Sequence, residues 1–303
     1  MLAGLVAGLL PAACRRRAPS PERTGAAPPG AVVVASFNFA ESALVAEMYS
    51  LALERAGVPV RREPHLGPRE LVHPALFAGL VDVVPEYLGT AAASVAPGAA
   101  DPADAQALRR ALVDALEPRG AQVLEPAPAQ NQNGFAVLRS TAERLGVRAV
   151  SDLAPLAGRL TLGGPPECPR RPFCGEGLAT VYGVHFARFL PFEGEQQRIA
   201  ALQQKVVDVA VVFSTDGHLA TGEVVLLEDD RRLQPAEHVV PVVSRRAAAR
   251  HGAALTGALD AVSSRLTSNS LTFLNWRVSV EGRDVAAEAR GWLRREGLLP
   301  RPG

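Results

Sequence analysis

The sequence has few lysines, aromatic residues and cysteines, and these shortages exclude several classes of function. Lys205 is the only lysine, the other basic residues being arginine. Because the net charge is +1, no electrostatic attraction for nucleic acid is expected. The first apolar run, Leu2 to Leu10, is too short to span a bilayer. The sequence contains neither a Walker loop nor a metal-spaced cluster of His and Cys. We therefore expect no cofactor and no metal.

The remaining composition is that of a globular protein of about two domains. The chain has 303 residues, of which 48% are hydrophobic and 21% are charged. A sizeable buried core is therefore expected.

The N-terminus is typical of an export signal. The small residues Pro11 to Ala13 follow the apolar run and precede Cys14, which resembles a bacterial lipoprotein signal, in which the cysteine is lipidated. The chain departs from that pattern in having no Lys or Arg before the apolar run and a proline three residues before Cys14. The alternative is an apolar leader without lipidation. Residues 15–30, rich in Pro, Arg, Ala and Gly, predict a disordered tether.

We therefore expect an exported protein, anchored by lipid at the outer face of the bacterial cytoplasmic membrane or free in the periplasm. The other two cysteines, Cys168 and Cys174, lie in the segment CPRRPFC. A pair of cysteines in an exported protein predicts a disulfide, with metal binding as the alternative.

One stretch of sixteen residues occurs twice. Ala75–Thr90 and Ala201–Asp216 share Ala-Leu at their start and Val-Asp-Val at the same spacing, which places Tyr87 opposite Phe213. Each copy predicts a helix end, a tight turn and a strand with an aromatic residue at its carboxyl end. Ligands bind at the carboxyl ends of strands in open α/β sheets. The repeat therefore predicts two lobes that each offer one aromatic residue to a shared cleft.

The alternation of strands and helices predicts an α/β protein. Two polar stretches, 127–134 and 229–237, indicate crossings between lobes. We expect a discontinuous first lobe (31–132 plus 236–303), an inserted second lobe (133–235) and a hinge between them. Asn38 and Glu41 have the spacing of a capping box at the first long helix.

Ten segments carry a family resemblance and occur in family order along nearly the whole chain after the tether. They are Ser36–Phe39 with Glu41, Pro85–Thr90, Ala127–Gly134, Ser151–Pro155, Gly164–Glu167, Tyr182-Gly183, Phe213–Gly217, Leu227–Asp230, Pro241–Val243, and Asn275 with Val280–Gly282.

With these segments the chain resembles the substrate-binding proteins of ABC importers for osmoprotectants such as glycine betaine, choline and carnitine. The resemblance implies a two-lobed periplasmic-binding fold of type II, in which a mixed sheet flanked by helices forms each lobe. It also implies a small polar or cationic solute as ligand, an ABC permease as membrane partner, a monomer, and no enzymatic activity. A ligand sensor without transport would have the same fold.

The family holds a trimethylammonium group in a box of aromatic side chains, whose faces attract cations. The resemblance assigns ligand contacts to Asn38, Phe39, Tyr87, Thr90, Asn133, Phe213, Ser214 and Thr215, and to the pair Glu237-His238, which lies outside the matching segments.

Several of these positions depart from the family. Asn133 and the pair Glu237-His238 stand where tyrosines are usual, Phe37 replaces a common lysine, and Ser42 replaces a common glutamine. We therefore expect an aromatic box that lacks two faces. Glu237 is expected either to face a cationic ligand or to be a solvated hinge residue. The ligand is expected to be a quaternary amine or betaine, or alternatively another small polar or aromatic solute.

A hydrolase is the main rival class, because Ser214, Asp216 and His218 lie close together in sequence. No G-x-S-x-G elbow surrounds Ser214, and Asp216 suits a turn or helix cap. A binding protein is therefore predicted rather than an enzyme.

Overall fold

The computed structural model describes residues 30–300, so Cys14 and the predicted tether up to residue 29 lie outside the described residues. Ten strands are present in this part of the chain: β1 Val32–Phe37, β2 Val60–Gly67, β3 Val83–Tyr87, β4 Ala121–Val123, β5 Asn133–Leu138, β6 Thr161–Gly164, β7 Arg188–Pro191, β8 Val209–Phe213, β9 Val224–Leu226 and β10 Val239–Ser244.

Ten α-helices accompany the strands in residues 30–300: α1 Ala40–Arg55, α2 Arg69–Phe77, α3 Leu88–Val95, α4 Ala105–Leu116, α5 Arg139–Leu145, α6 Gly175–Tyr182, α7 Glu195–Gln203, α8 Arg245–Ser263, α9 Ser268–Ser279 and α10 Val285–Arg295. Gly252, with φ 52°, interrupts α8.

The strands form two five-stranded sheets of the same design. The orders are β2-β1-β3-β10-β4 and β7-β6-β8-β5-β9. In each sheet the three strands at one side are parallel, and the fourth, β10 or β5, is antiparallel to its neighbour β3 or β8. We call the first sheet with α1–α4 and α8–α10 the first lobe, and the second sheet with α5–α7 the second lobe. The predicted α/β fold with two mixed sheets is confirmed.

Each lobe has its own apolar core. The first core joins residues of 32–129 with residues of 239–293, whereas the two clusters of the second lobe draw only on 135–233. β1 is buried along its whole length, and α1 buries twelve of its sixteen residues, so it is the central helix of the first lobe. α4 begins at Asp104, whose carboxylate accepts from the amides of Gln106 and Ala107 at 2.9 Å.

Two short elements have only a weak signal in the sequence. Helix α3 follows β3 directly, and its N-cap residue is Tyr87, so no polar residue marks where the helix begins. Strand β7 is a four-residue strand at the sheet edge without a buried position. Val150–Leu153 forms a 3-10 turn. Within residues 30–300, no helix is long and apolar enough to cross a membrane.

Candidate functional site

The Val-Asp-Val repeat sets the register of each sheet. Asp82 accepts from the amide of Val33 at 3.1 Å through its carboxylate, and its own amide donates to the Val33 carbonyl at 2.8 Å. Asp208 makes the same pair of bonds with Thr161, at 2.9 and 3.0 Å. These contacts align β3 with β1 and β8 with β6. The strands consequently end at Tyr87 and Phe213, as the repeat predicts.

A cavity of about 230 Å³ lies between the lobes where these strands end. Such a volume is below the roughly 300 Å³ of pockets for drug-sized ligands, so it suits a small solute. Seven of the ten predicted contact residues line it: Asn38, Phe39, Tyr87, Thr90, Asn133, Phe213 and Glu237.

Four aromatic rings meet at this cavity. Phe39 lies between the lobes, with its ring centroid 5.6 Å from that of Tyr87 and 4.9 Å from that of Phe213. Phe37 stacks on Phe39 at 6.0 Å with an interplanar angle of 10°. The sequence predicts contacts from Phe39, Tyr87 and Phe213. The rings of Phe37 and Phe173 also line the cavity, in addition to these three.

Two arginines lie over these rings. The guanidinium carbon of Arg69 is 5.3 Å from the ring centroid of Phe37, and that of Arg198 is 6.0 Å from the ring centroid of Phe213. Arg69 forms a bidentate ion pair with the buried Glu86, at 3.0 and 2.9 Å, and donates to the hydroxyl of Thr90 at 2.9 Å. Although burial raises the pKa of Glu86, the Arg69 charge and the hydrogen bonds outweigh it and set this pKa to about 2.

Arg198 is buried, and its Nε donates to the carbonyl of Val211 at 2.8 Å. No carboxylate among residues 30–300 lies within 4 Å of its guanidinium nitrogens. Its positive charge therefore faces the cavity without a direct ion pair. Neither arginine was identified from the sequence, because their functional contacts join residues from different elements.

Glu237 is a buried residue of the cavity wall, so the interpretation as a solvated hinge residue is wrong. It is 2% exposed, and its carboxylate accepts from the amides of Gly89 and Thr90 at 2.8 and 2.9 Å. These are free N–H groups of the first turn of α3, so Glu237 takes the place of a side-chain cap. Burial raises its pKa to about 7, against the pull of the Arg69 charge.

Ser214, Thr215 and His238 do not line the cavity, contrary to the sequence-based assignment. The Ser214 hydroxyl accepts from the amide of Gln132 at 2.9 Å, and Nδ1 of His238 bonds to the carbonyl of Ala127 at 2.7 Å. Thr215 is buried and donates to Glu41. Ser214 and Thr215 directly follow β8, and His238 directly precedes β10. At such positions a small change in backbone direction turns a side chain away from the cleft.

The predicted capping box at α1 is also wrong. Phe39 is the N-cap residue, and no side chain caps the helix. Asn38 is exposed at the edge of the cavity. Glu41 is buried, and its carboxylate accepts hydrogen bonds from distant parts of the chain instead.

The predicted disulfide between Cys168 and Cys174 is confirmed. The loop that it closes forms one wall of the cavity, through Arg171 and Phe173 among others. The loop sits tightly on α6, because a Cβ on Gly177 would lie 2.1 Å from the Pro172 carbonyl oxygen. Arg171 also forms an ion pair with Glu70 of the first lobe.

The arrangement of Ser214, Asp216 and His218 is not that of a hydrolase. Asp216 and His218 are bonded, with Oδ1 and Nδ1 2.9 Å apart. Asp216 Oδ1 also accepts from the His218 amide at 2.8 Å and so begins a short 3-10 helix, Gly217–Thr221. The hydroxyl of Ser214 makes its hydrogen bond elsewhere, with Gln132.

Comparisons with known proteins agree with this geometry. Residues 30–295 match the family model of the substrate-binding domain of ABC-type glycine betaine transport systems. The chain is similar to a glycine-betaine-binding protein of Pseudomonas aeruginosa, with 27% identity over 86% of each chain. It is also similar to the glycine betaine-binding protein YehZ of Escherichia coli, with 28% identity over 85% of this chain and 88% of the relative.

Among solved structures, a glycine betaine/carnitine/choline ABC transporter protein has the same fold. The TM-score is 0.71 at 22% identity, over 88% of this chain and 99% of the other.

Proposed function

Because this chain belongs to the family of substrate-binding domains of ABC-type glycine betaine transport systems, we propose that its cleft binds a small betaine or other quaternary amine. The family consists of extracytoplasmic receptors that bind a small solute and deliver it to an ABC permease, and its members are not enzymes. The ligand of this chain and the residues that bind it are the subject of the proposal.

The observation that carries the proposal is the aromatic cluster between the lobes. Phe39 and Tyr87 come from the first lobe and Phe213 from the second, with centroids 4.9 and 5.6 Å from that of Phe39. Each aromatic face attracts a cation by about 0.5 to 2 kcal/mol. A trimethylammonium group gains this attraction without hydrogen bonds, so it suits a site made of rings.

The charges around the rings favour a zwitterion over a simple cation. Three arginines and four glutamates line the cavity: Arg69, Arg171, Arg198, Glu167, Glu193, Glu195 and Glu237. Arg198 has no direct ion pair within residues 30–300 and is the natural partner for a ligand carboxylate. Glu237 lines the cavity against α3 and adds negative charge for the ammonium end when it is ionised.

The mature protein is proposed to be a monomer of two lobes (31–132 with 236–303, and 133–235), anchored to the membrane through Cys14. Two features support this architecture. The two apolar cores share no residue, and the segment before residue 30 has the composition of a tether.

A second ligand class has its own supporting observation. Arg69 and Arg198 lie over Phe37 and Phe213, so each of these rings already has a cation near it. With Asn131 and Asn133 in the wall, the cavity also suits an uncharged polar or aromatic solute.

Calorimetry with a matched pair of solutes tests the proposal. Choline and 3,3-dimethyl-1-butanol have the same shape, but only choline carries the positive charge. We expect glycine betaine or choline to bind with micromolar affinity, and the neutral analogue to bind at least tenfold more weakly. Phe39→Leu should weaken binding of the charged solute two- to thirtyfold. Phe273→Leu, which removes an exposed ring of α9, is the control.

Equal affinity for the charged and neutral analogues would contradict the cation site. No heat with glycine betaine, choline, carnitine and proline betaine, from folded protein, would contradict the proposed ligand class and favour the second one.

A further inference from the structure

Glu41 is buried beside the cavity but does not line it. It is 3% exposed and lies in the first turn of α1. Its carboxylate accepts four hydrogen bonds, from the Tyr87 hydroxyl at 3.0 Å, Asn131 Nδ2 at 2.7 Å, Asn275 Nδ2 at 2.7 Å and the Thr215 hydroxyl. No Arg, Lys or His of residues 30–300 pairs with it.

The four donors come from four different parts of the fold. Tyr87 ends β3 and lines the cavity. Asn131 lies in the first crossing between the lobes, and Asn275 lies in α9 of the first lobe. Thr215 follows β8 in the second lobe. One carboxylate therefore joins a cavity residue, the hinge and both lobes.

The chemistry of the neighbouring groups fixes how Asn275 is oriented. The same Asn275 nitrogen donates to Glu41 and, at 2.9 Å, to the carbonyl oxygen of Thr215. A backbone carbonyl can only accept, so this atom must be the amide nitrogen. Asn275 thus bridges Glu41 and the second lobe. The amide nitrogens of Asn131 and Asn275 thus both donate to Glu41.

The second lobe makes direct backbone contact at this point. A Cβ on Gly217 would lie 2.4 Å from the Cα and 2.5 Å from the amide nitrogen of Trp276 in α9. Only glycine permits such an approach. The contact of Thr215 with Glu41 therefore belongs to a tight junction between the lobes.

We propose that Glu41 is a positioning residue that couples the solute-binding side chain Tyr87 to the closed arrangement of the lobes at Thr215. When the second lobe moves away, Glu41 loses the Thr215 hydroxyl, and Asn275 loses the Thr215 carbonyl. A buried carboxylate with fewer donors is costly, so the full set of hydrogen bonds favours closure. The same carboxylate holds the Tyr87 hydroxyl, which links the orientation of this ring to the position of the second lobe. The inference rests on the proposed function, in which the solute contacts Tyr87.

A double-mutant cycle tests this coupling. Tyr87→Phe keeps the ring and removes the hydroxyl, and Thr215→Val keeps the shape and removes the hydroxyl outside the cavity. Calorimetry with glycine betaine should show that each single variant binds at least threefold more weakly. Because both hydroxyls act through one carboxylate, the double variant should bind at least threefold more tightly than the product of the single effects predicts.

The cycle is repeated in the Glu41→Gln background, where the coupling should disappear. Thr221→Val is the matched control, since its exposed hydroxyl bonds to the His218 carbonyl in the same segment and not to Glu41. Additive effects of Tyr87→Phe and Thr215→Val, or equal affinities of Thr215→Val and Thr221→Val, would overturn the proposal.

Small-angle X-ray scattering of the solute-free protein separates this inference from the proposed function. Thr215→Val and Glu41→Gln should have a larger radius of gyration than the unmodified protein and Thr221→Val, because fewer bonds hold the lobes together. This measurement needs no solute, so it remains decisive if no quaternary amine binds. An unchanged radius in folded Thr215→Val would then contradict the role of Glu41.

Discussion

The ends of β3 and β8 are built from the same repeat but serve the cleft differently. Both carry an aspartate that aligns the neighbouring strand and an aromatic residue at the carboxyl end. Tyr87, however, is 5% exposed and bonded to Glu41, whereas Phe213 is half-buried and has no hydroxyl. Tyr87 is thus a fixed ring that belongs to the core of the first lobe. Phe213 is a ring of the second lobe that lies outside that core.

The largest difference between the two rings should appear when each is removed. Tyr87→Ala should lower the free energy of unfolding by about 3 to 5 kcal/mol, as for other large core residues. Phe213→Ala should lower it by only about 1 to 2 kcal/mol, because less of its surface is buried. Both variants should bind glycine betaine at least tenfold more weakly. Urea denaturation and calorimetry measure the two effects.

Tyr87→Phe separates the two contributions of Tyr87 in this comparison, because it keeps the ring and removes only the hydroxyl that bonds to Glu41. Equal losses of stability in Tyr87→Ala and Phe213→Ala would show that the two rings are equivalent.

Two glutamates at the first strand end have opposite pKa shifts. Burial raises the pKa of Glu237 from 4.5 to about 7. Its contribution to stability is therefore full below pH 4.5 and is lost as the pH rises through about 7, by up to about 3 kcal/mol. Glu86, with a pKa of about 2, acts in the opposite direction. Its contribution is present above pH 4.5 and is lost as the pH falls through about 2.

Urea denaturation at pH 5, 6 and 7 measures the contribution of Glu237. Glu237→Gln should reduce the decline over this range, to which Glu41 and Glu195 also contribute because burial raises the pKa of both. The exposed Glu143→Gln should leave the decline unchanged. If the free energy of unfolding declined equally in Glu237→Gln and in the unmodified protein, the decline would come from other titratable groups.

The second lobe has a constraint that the first lobe lacks, the disulfide loop that walls the cavity. Replacing Cys168 and Cys174 by serine should lower the free energy of unfolding by about 2 kcal/mol, the loop-closure value for so short a loop. The free loop should also weaken solute binding, because Phe173 and Arg171 would no longer be held at the wall.

Urea denaturation and calorimetry of the Cys168→Ser/Cys174→Ser variant test this, with Phe273→Leu, a change at an exposed ring of the first lobe, as the reference. Unchanged affinity would mean that the packing of Gly177 against Pro172 is sufficient to hold the loop.

Sequence patterns predicted the two strand ends because their signals are local. Asp82 and Asp208 each stand directly before a strand that ends, five residues on, at Tyr87 or Phe213. The cap of α3 could not be predicted in this way, since it is Glu237, which is 148 residues from Gly89.

The pair Asn38 and Glu41 shows most clearly where a local sequence pattern fails to predict the contacts of a side chain. It satisfies a local capping pattern, yet the Glu41 carboxylate bonds to Asn275, 234 residues away. Buried carboxylates take the strongest available set of donors, and that set depends on tertiary structure. The same holds for Arg69 and Arg198, whose place in the cavity follows from how the lobes meet.

The smallest difference between the repeats is in the turn before each strand. Gly79 and Lys205 occupy equivalent positions and have φ angles of 71° and 58°. The turns share their backbone bonds, since Leu80 and Val206 donate to the carbonyls of Ala75 and Ala201, both at 2.8 Å. Only the second copy places a side chain in the left-handed region, which costs an L-residue about 1 kcal/mol.

Lys205→Gly should therefore raise the free energy of unfolding by about 0.5 kcal/mol, since the greater freedom of glycine in the unfolded chain offsets part of the relief. Gly79→Ala, the converse change in the first copy, should lower it by about 1 kcal/mol. Urea denaturation of both variants measures the pair. A loss of stability in Lys205→Gly would mean that contacts of the lysine side chain outweigh its backbone strain, and that the two turns, although alike in their hydrogen bonds, are stabilised differently.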